Sequence, residues 1–168
     1  MSPALKAPGE PMAWVATATP AGICTMESRL SMPFRLLLST GTAMTGSGVI
    51  EAVVDLTGEA IPASGYFVAA ERTFTLGTAD LTTTLNFENS DNVTHLLVQG
   101  FTGANGDDLD TDDDGTLDSM PWSSIHDCVA LLETVGSENL TYCATTVGPD
   151  GSFVPGHVYR CSPGWFIG

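Results

Sequence analysis

Twelve residues, Asp107–Asp118 (DDLDTDDDGTLD), constrain this chain more than any other stretch, because seven of them are aspartate. Like charges a few ångströms apart repel, and no Lys or Arg lies within or beside the run to offset them. Such a segment either stays solvated or folds around a hard cation. The spacing favours the cation. Asp110-x-Asp112-x-Asp114-Gly115 puts carboxylates at positions 1, 3 and 5 of an EF-hand-type loop, with glycine at 6 for the sharp turn. Thr116 offers its backbone carbonyl at position 7, and Asp118 falls at position 9. Position 12 is Pro121 instead of the bidentate Glu, and neither flank reads as a helix. The expectation is therefore a free-standing calcium loop between strands, with Asp107 or Asp108 in the missing ligand place. The expected metal ligands are Asp108, Asp110, Asp112, Asp114, Thr116 and Asp118, with calcium as the cofactor. The competing reading is a solvated acidic loop, since charge runs are often only that.

Charge over the whole chain narrows the function classes. Five Lys and Arg stand against 20 Asp and Glu in 168 residues, a net charge of −15. Nucleic acid is excluded as a partner on this balance, because a phosphate backbone is bound through Lys and Arg. A soluble, secreted, cation-rich setting suits it. The charge is uneven: residues 1–48 carry +1 and the remainder −16. No run of eighteen apolar residues exists, so no membrane-spanning helix is expected. A basic segment followed by an apolar one is not visible at the start, so an exported protein would begin upstream of this sequence. The expected location is extracellular or at the cell surface.

Along the chain, Pro3, Pro8, Pro11, Pro20 and Pro33 argue against helix in the first forty residues. Residues 1–40 are expected to be irregular, apart from the apolar run Met32–Leu38, which fits a short strand or a turn of helix. Residues 41–168 read as one β domain. Val49–Leu56, Tyr66–Ala70 and Val93–Val98 have strand composition, and Thr78–Asn86 reads as an edge strand. Ile125–Glu133 fits a helical face or a buried strand, and its short length and strand neighbours favour the strand. Asn139–Val147, Val158–Cys161 and Trp165–Ile167 complete the set. Short strands separated by Gly, Asn, Asp and Pro predict an all-β antiparallel sandwich or barrel.

Three segments carry a resemblance. Ile61–Ala70 (IPASGYFVAA) resembles the Pro-x-x-Gly-Tyr-aliphatic start of a strand in lamin-tail domains. Asn92–Val98 resembles the strand that follows, and Asp127–Leu131 the later strand after the acidic loop. With Pro121-Trp122 behind it, the acidic insertion is similar to the bacterial extracellular branch of that family. The resemblance covers about residues 47–168; residues 1–39 depart from it. It implies an immunoglobulin-like β-sandwich and a binding or adhesion role without catalysis, in a secreted or surface bacterial protein; joined to the loop spacing, the expectation is a calcium-stabilised module. A glycan or a cell-surface protein is the expected partner.

Other chemistry is weaker. Cys143 and Cys161 flank a turn-rich stretch and are a candidate disulfide pair in an extracellular setting, a pairing that sequence does not fix, while Cys128 reads as a buried apolar residue. A zinc site from His126, Cys128, Cys143, His157 and Cys161 lacks the usual ligand spacing. Gly46-Ser47-Gly48 and Ser64-Gly65 are not nucleophile elbows and read as turns. Trp122, Trp165 and Tyr159 fit either a glycan platform or the closed ends of a core. Asn92-Val-Thr94 and Asn139-Leu-Thr141 match the glycosylation pattern. The functional alternative is a small metal-dependent hydrolase acting on phosphoesters or esters, in which the carboxylates hold an ion that activates water. His95, His126 or His157 would complete that site.

Overall fold

The structure is a computed structural model that describes residues 13–17, 34–40, 46–62, 66–85, 91–136, 140–161 and 164–168. The protein is all-β, and among the described residues no α-helix occurs. Among the described residues there are ten strands: β1 Ala13–Thr17, β2 Phe34–Thr40, β3 Ile50–Asp55, β4 Tyr66–Ala70, β5 Leu81–Thr82, β6 Val93–Gln99, β7 Ser124–Leu131, β8 Thr146–Val147, β9 His157–Cys161 and β10 Gly164–Ile167. They form two five-stranded sheets, ordered β10-β9-β1-β4-β5 and β3-β2-β6-β7-β8.

β1, the middle strand of its sheet, comes from the segment expected to be irregular, and β2, an inner strand of the other sheet, overlaps the apolar run Met32–Leu38. β1 lies between β4 and β9, and β2 lies between β3 and β6. Both strands, which precede residue 41, are hydrogen-bonded into the same sheets as strands from the rest of the chain. Proline did not forbid this: Pro11, Pro20 and Pro33 all fall outside the two strands and remove no ladder donor from them. Met32–Leu38 was close to β2. Nothing in Ala13–Thr17 alternates strongly enough to mark a strand.

Strand direction is also corrected. An antiparallel architecture was expected, but β1 with β9, β4 with β5 and β7 with β8 run parallel. Parallel neighbours need a long return connection. Residues 71–80 supply one between β4 and β5, and residues 132–145 supply the other between β7 and β8. β5 and β8 have two residues each, so the Thr-rich stretches read as longer strands contribute little ladder.

Alternation sets which face each side chain covers. Val54, Phe67, Ala69, Val93, Val129, Leu131, Val158 and Trp165 come from both sheets and form one buried cluster, joined by Leu56, Leu85 and Val154. The other face of the β6 sheet carries a second cluster of Ile50, Leu96 and Val98. β6 is thus covered on both faces, which explains the near-continuous apolar run VTHLLV. The cover on the second face is the acidic insertion itself: Leu109 is 1% exposed in that cluster, and Phe101, Leu117 and Trp122 pack against it.

Leu109 should therefore behave as a core residue although its neighbours in sequence are aspartates. Leu109→Ala is expected to cost about 2–5 kcal/mol of folding stability in denaturant titration. A loss below about 1 kcal/mol, the range of an exposed surface position, would contradict this seating of the loop.

Candidate metal centre

The acidic run is tied to the start of β3 before any of its carboxylates are considered. The Ile50 amide donates to the Asp107 carbonyl at 2.9 Å, the Gly106 amide to the Ile50 carbonyl at 2.7 Å, and the Leu109 amide to the Gly48 carbonyl at 3.2 Å. Gly48, at φ +77°, is where the two backbones come closest: a Cβ there would lie 2.7 Å from the Asp110 Cβ and 2.9 Å from its amide nitrogen. This glycine is required by the approach of the loop, a role the Gly46-Ser47-Gly48 turn does not reveal by itself.

Asp110 is fully buried. Its Oδ2 accepts from the Tyr142 hydroxyl at 2.7 Å, the Gly115 amide at 2.9 Å and the Ser47 hydroxyl at 3.0 Å. Its Oδ1 accepts from the Asp114 amide at 3.1 Å. Burial alone would push this carboxyl up, but the bonds from Tyr142, Gly115, Ser47 and Asp114 outweigh it and hold the group below its ordinary value. Asp110 is therefore ionised at neutral pH. Burial also raises the Tyr142 hydroxyl well above its ordinary value, and the bond to Asp110 adds to this, so the phenol stays protonated and donates.

The remaining carboxylates divide by role. Asp113, with φ +56°, accepts from the Ser47 amide and faces the Ser47 hydroxyl at 3.0 Å. That hydroxyl has one proton and serves Asp110 or Asp113 at a time. Asp114 turns back to the Thr116 amide at 2.7 Å, Asp108 to the Asp110 amide at 3.1 Å, and Asp107 to the Ala104 amide at 2.7 Å. The Oδ2 of Asp118 accepts from the Thr111 amide at 2.8 Å and from the Thr111 hydroxyl.

Three of the expected ligands come together. One oxygen each from Asp110, Asp112 and Asp118 lies within 4.8 Å of the others, and these carboxylates could hold a metal ion. They are loop positions 1, 3 and 9. Asp114, expected at position 5, and Asp108 spend a carboxylate oxygen on local amides instead, and among the described residues neither joins the group. The donor set fits a hard cation, since it consists of carboxylate oxygens alone. Asp110 keeps an Oδ1 lone pair beyond the Asp114 bond, and Asp118 keeps an oxygen not engaged by Thr111. Repulsion from Asp114 is the main cause that raises the Asp112 carboxyl above its ordinary value, followed by burial and by Asp118. A bound dication would reverse that repulsion.

The histidines lie elsewhere. His95 on β6 is 3% exposed, His126 on β7 shares its Nε2 with Gln99 at 3.1 Å and Ser124 at 3.3 Å, and the His157 ring sits 6.1 Å from that of Tyr159. Trp165 belongs to the core and Trp122 packs under the acidic insertion, while Tyr159 stacks on Phe166, so the three do not form a common platform. Asn92 is buried and accepts from the Glu133 amide, which removes it as a glycan acceptor; Asn139 lies outside the described residues.

The disulfide expectation is corrected. Cys143 is bonded to Cys128, with Cα atoms 5.9 Å apart, and not to Cys161. Cys128 pairs with Leu96 and so faces the second cluster, over which residues 140–145 pass. Sequence reasoning missed Ser47 and Tyr142. They sit 63 and 32 residues from Asp110, and no local pattern links such distant positions.

Comparison with protein-family models, curated proteins and solved structures found no match. No helix among the described residues is long and apolar enough to cross a membrane.

Burial lowers the His95 pKa from 6.5 to about 4, partly opposed by a hydrogen bond that the ring donates to the Val93 backbone. The unfolded chain then takes up the proton first, so the contribution of His95 is complete above pH 6.5 and is lost as pH falls towards 4. The full effect is about 3 kcal/mol. An NMR titration of the His95 ring should give a midpoint near 4; a midpoint near 6.5 would contradict its burial.

Proposed function

We propose that this chain is a non-catalytic, calcium-stabilised binding or adhesion module, an immunoglobulin-like β-sandwich of the lamin-tail type from a secreted or surface bacterial protein. The observation that carries the reading is the convergence of Asp110, Asp112 and Asp118 on a loop already seated on a sheet. Calcium suits the site best, because it takes several oxygen ligands in flexible geometry and accepts carbonyls and water beside the carboxylates. An ion there would bridge the buried Asp110 to the two exposed aspartates and neutralise the repulsion among them. Its binding free energy would add to the folded state. Two sheets with a shared core support the sandwich reading, and the net charge of −15 supports a cation-rich, extracellular setting. A glycan or a cell-surface protein is the partner class this reading implies. The non-catalytic part rests on the histidines: those that a hydrolase would need are engaged in the core, with Gln99 and Ser124, or in ring contacts.

A thermal melt in chelator and then in a calcium series tests the proposal. At a hundredfold excess over Kd the midpoint is expected to rise by about 5–10 °C, and Asp112→Ala should abolish the shift while leaving the chelator melt nearly unchanged. A calcium-blind melt, or an undiminished shift in the variant, would overturn the ligand assignment.

A further inference from the structure

Two segments from distant parts of the chain cover the outer face of the β3-β2-β6-β7-β8 sheet. One is the acidic loop, which lays Leu109 and Leu117 on it. The other is 140–145, held by the Cys128–Cys143 disulfide and by the Tyr142 amide, which donates to the Thr94 hydroxyl at 3.2 Å. They meet where the Tyr142 hydroxyl donates to the buried Asp110 carboxylate. The residue that makes this bond is therefore the immediate neighbour of a cross-linked cysteine. Neither cysteine belongs to the core shared by the two sheets, and β8 stays tied to β7 through the Ala130 amide to the Thr145 carbonyl and the Leu132 amide to the Val147 carbonyl. What the disulfide restrains beyond those ladders is the stretch 140–144.

We propose that the Cys128–Cys143 disulfide is a redox latch on the acidic loop. Oxidised, it keeps Tyr142 on Asp110 and the loop seated on the sheet. Reduction by a dithiol frees the Tyr142 segment, withdraws one of the three donors to the Asp110 Oδ2, and loosens Asp110–Asp118 without unfolding the sheets. The exchange is balanced: a thiolate of the dithiol attacks one cysteine sulfur, the other cysteine leaves and takes a proton, and the second thiol of the reductant resolves the mixed disulfide. Two electrons and two protons pass to the protein, and the reductant closes into its own disulfide. The latch does not depend on an ion in the loop, so it stands or falls separately from the calcium reading.

Amide hydrogen exchange of the full chain, in chelator throughout, tests it. Three samples are compared: oxidised, reduced with dithiothreitol, and oxidised Tyr142→Phe, in which the disulfide stays intact. In the last two, amides of 109–118 should exchange about tenfold faster, the effect of losing a hydrogen bond to a charged group, while β6 amides keep their protection. Unchanged loop exchange after verified reduction, or in Tyr142→Phe, would overturn the latch. Equal loss of protection in the loop and in β6 would overturn it too, since the disulfide would then be a general staple of the fold.

Discussion

A buried carboxylate that remains ionised is the constraint on which the rest of this structure turns. Removing a charge from water is unfavourable unless hydrogen bonds replace the lost solvation. Asp110 meets that condition with donors from three places in the chain: Ser47 before β3, Asp114 and Gly115 within its own loop, and Tyr142 after β7. Each donor fixes something else. Ser47 brings the start of β3 against the loop, the two loop amides set its turn, and Tyr142 draws in the segment cross-linked to β7.

The same constraint explains why an acidic insertion can act as a hydrophobic cover. Leu109 precedes Asp110 and lies in the cluster with Ile50, Leu96 and Val98. Backbone bonds to Gly48 and Ile50 hold both residues close to the sheet, so the apolar side chain packs while most of the charged ones stay in water. The loop is therefore part of the architecture, and the exposed Asp112 and Asp118 converge with Asp110 on a surface that is already built, where the three could hold a metal ion.

Much of this was legible in the sequence, and what was not has physical causes. Strand composition marked Val49–Leu56, Tyr66–Ala70, Val93–Val98 and Ile125–Glu133, because β-branched and aromatic residues between turn formers leave a local signal. β1 gave none, since Ala13–Thr17 becomes a strand only through partners far along the chain. Pairing direction is set by connections, not by composition, so the parallel pairs were hidden. Spacing alone nominated Asp110, Asp112 and Asp118. It also nominated Asp114, and Asp108 was put in the missing ligand place; the carboxylates of both cap neighbouring amides, because spacing does not say which way an aspartate turns when a backbone donor is nearer. Ser47, Tyr142 and the pairing of Cys128 with Cys143 depend on tertiary contacts that no local pattern encodes.

The most direct measurement is equilibrium unfolding of Asp110→Asn in chelator, because the change keeps the shape of the side chain and removes its charge. If the ionised carboxylate holds the loop, the variant should lose about 3 kcal/mol or more relative to the parent protein, since four side-chain and backbone donors would face a neutral amide that also brings donors of its own. A stability within about 0.5 kcal/mol of the parent, the range of an ordinary surface substitution, would contradict the central role given to Asp110.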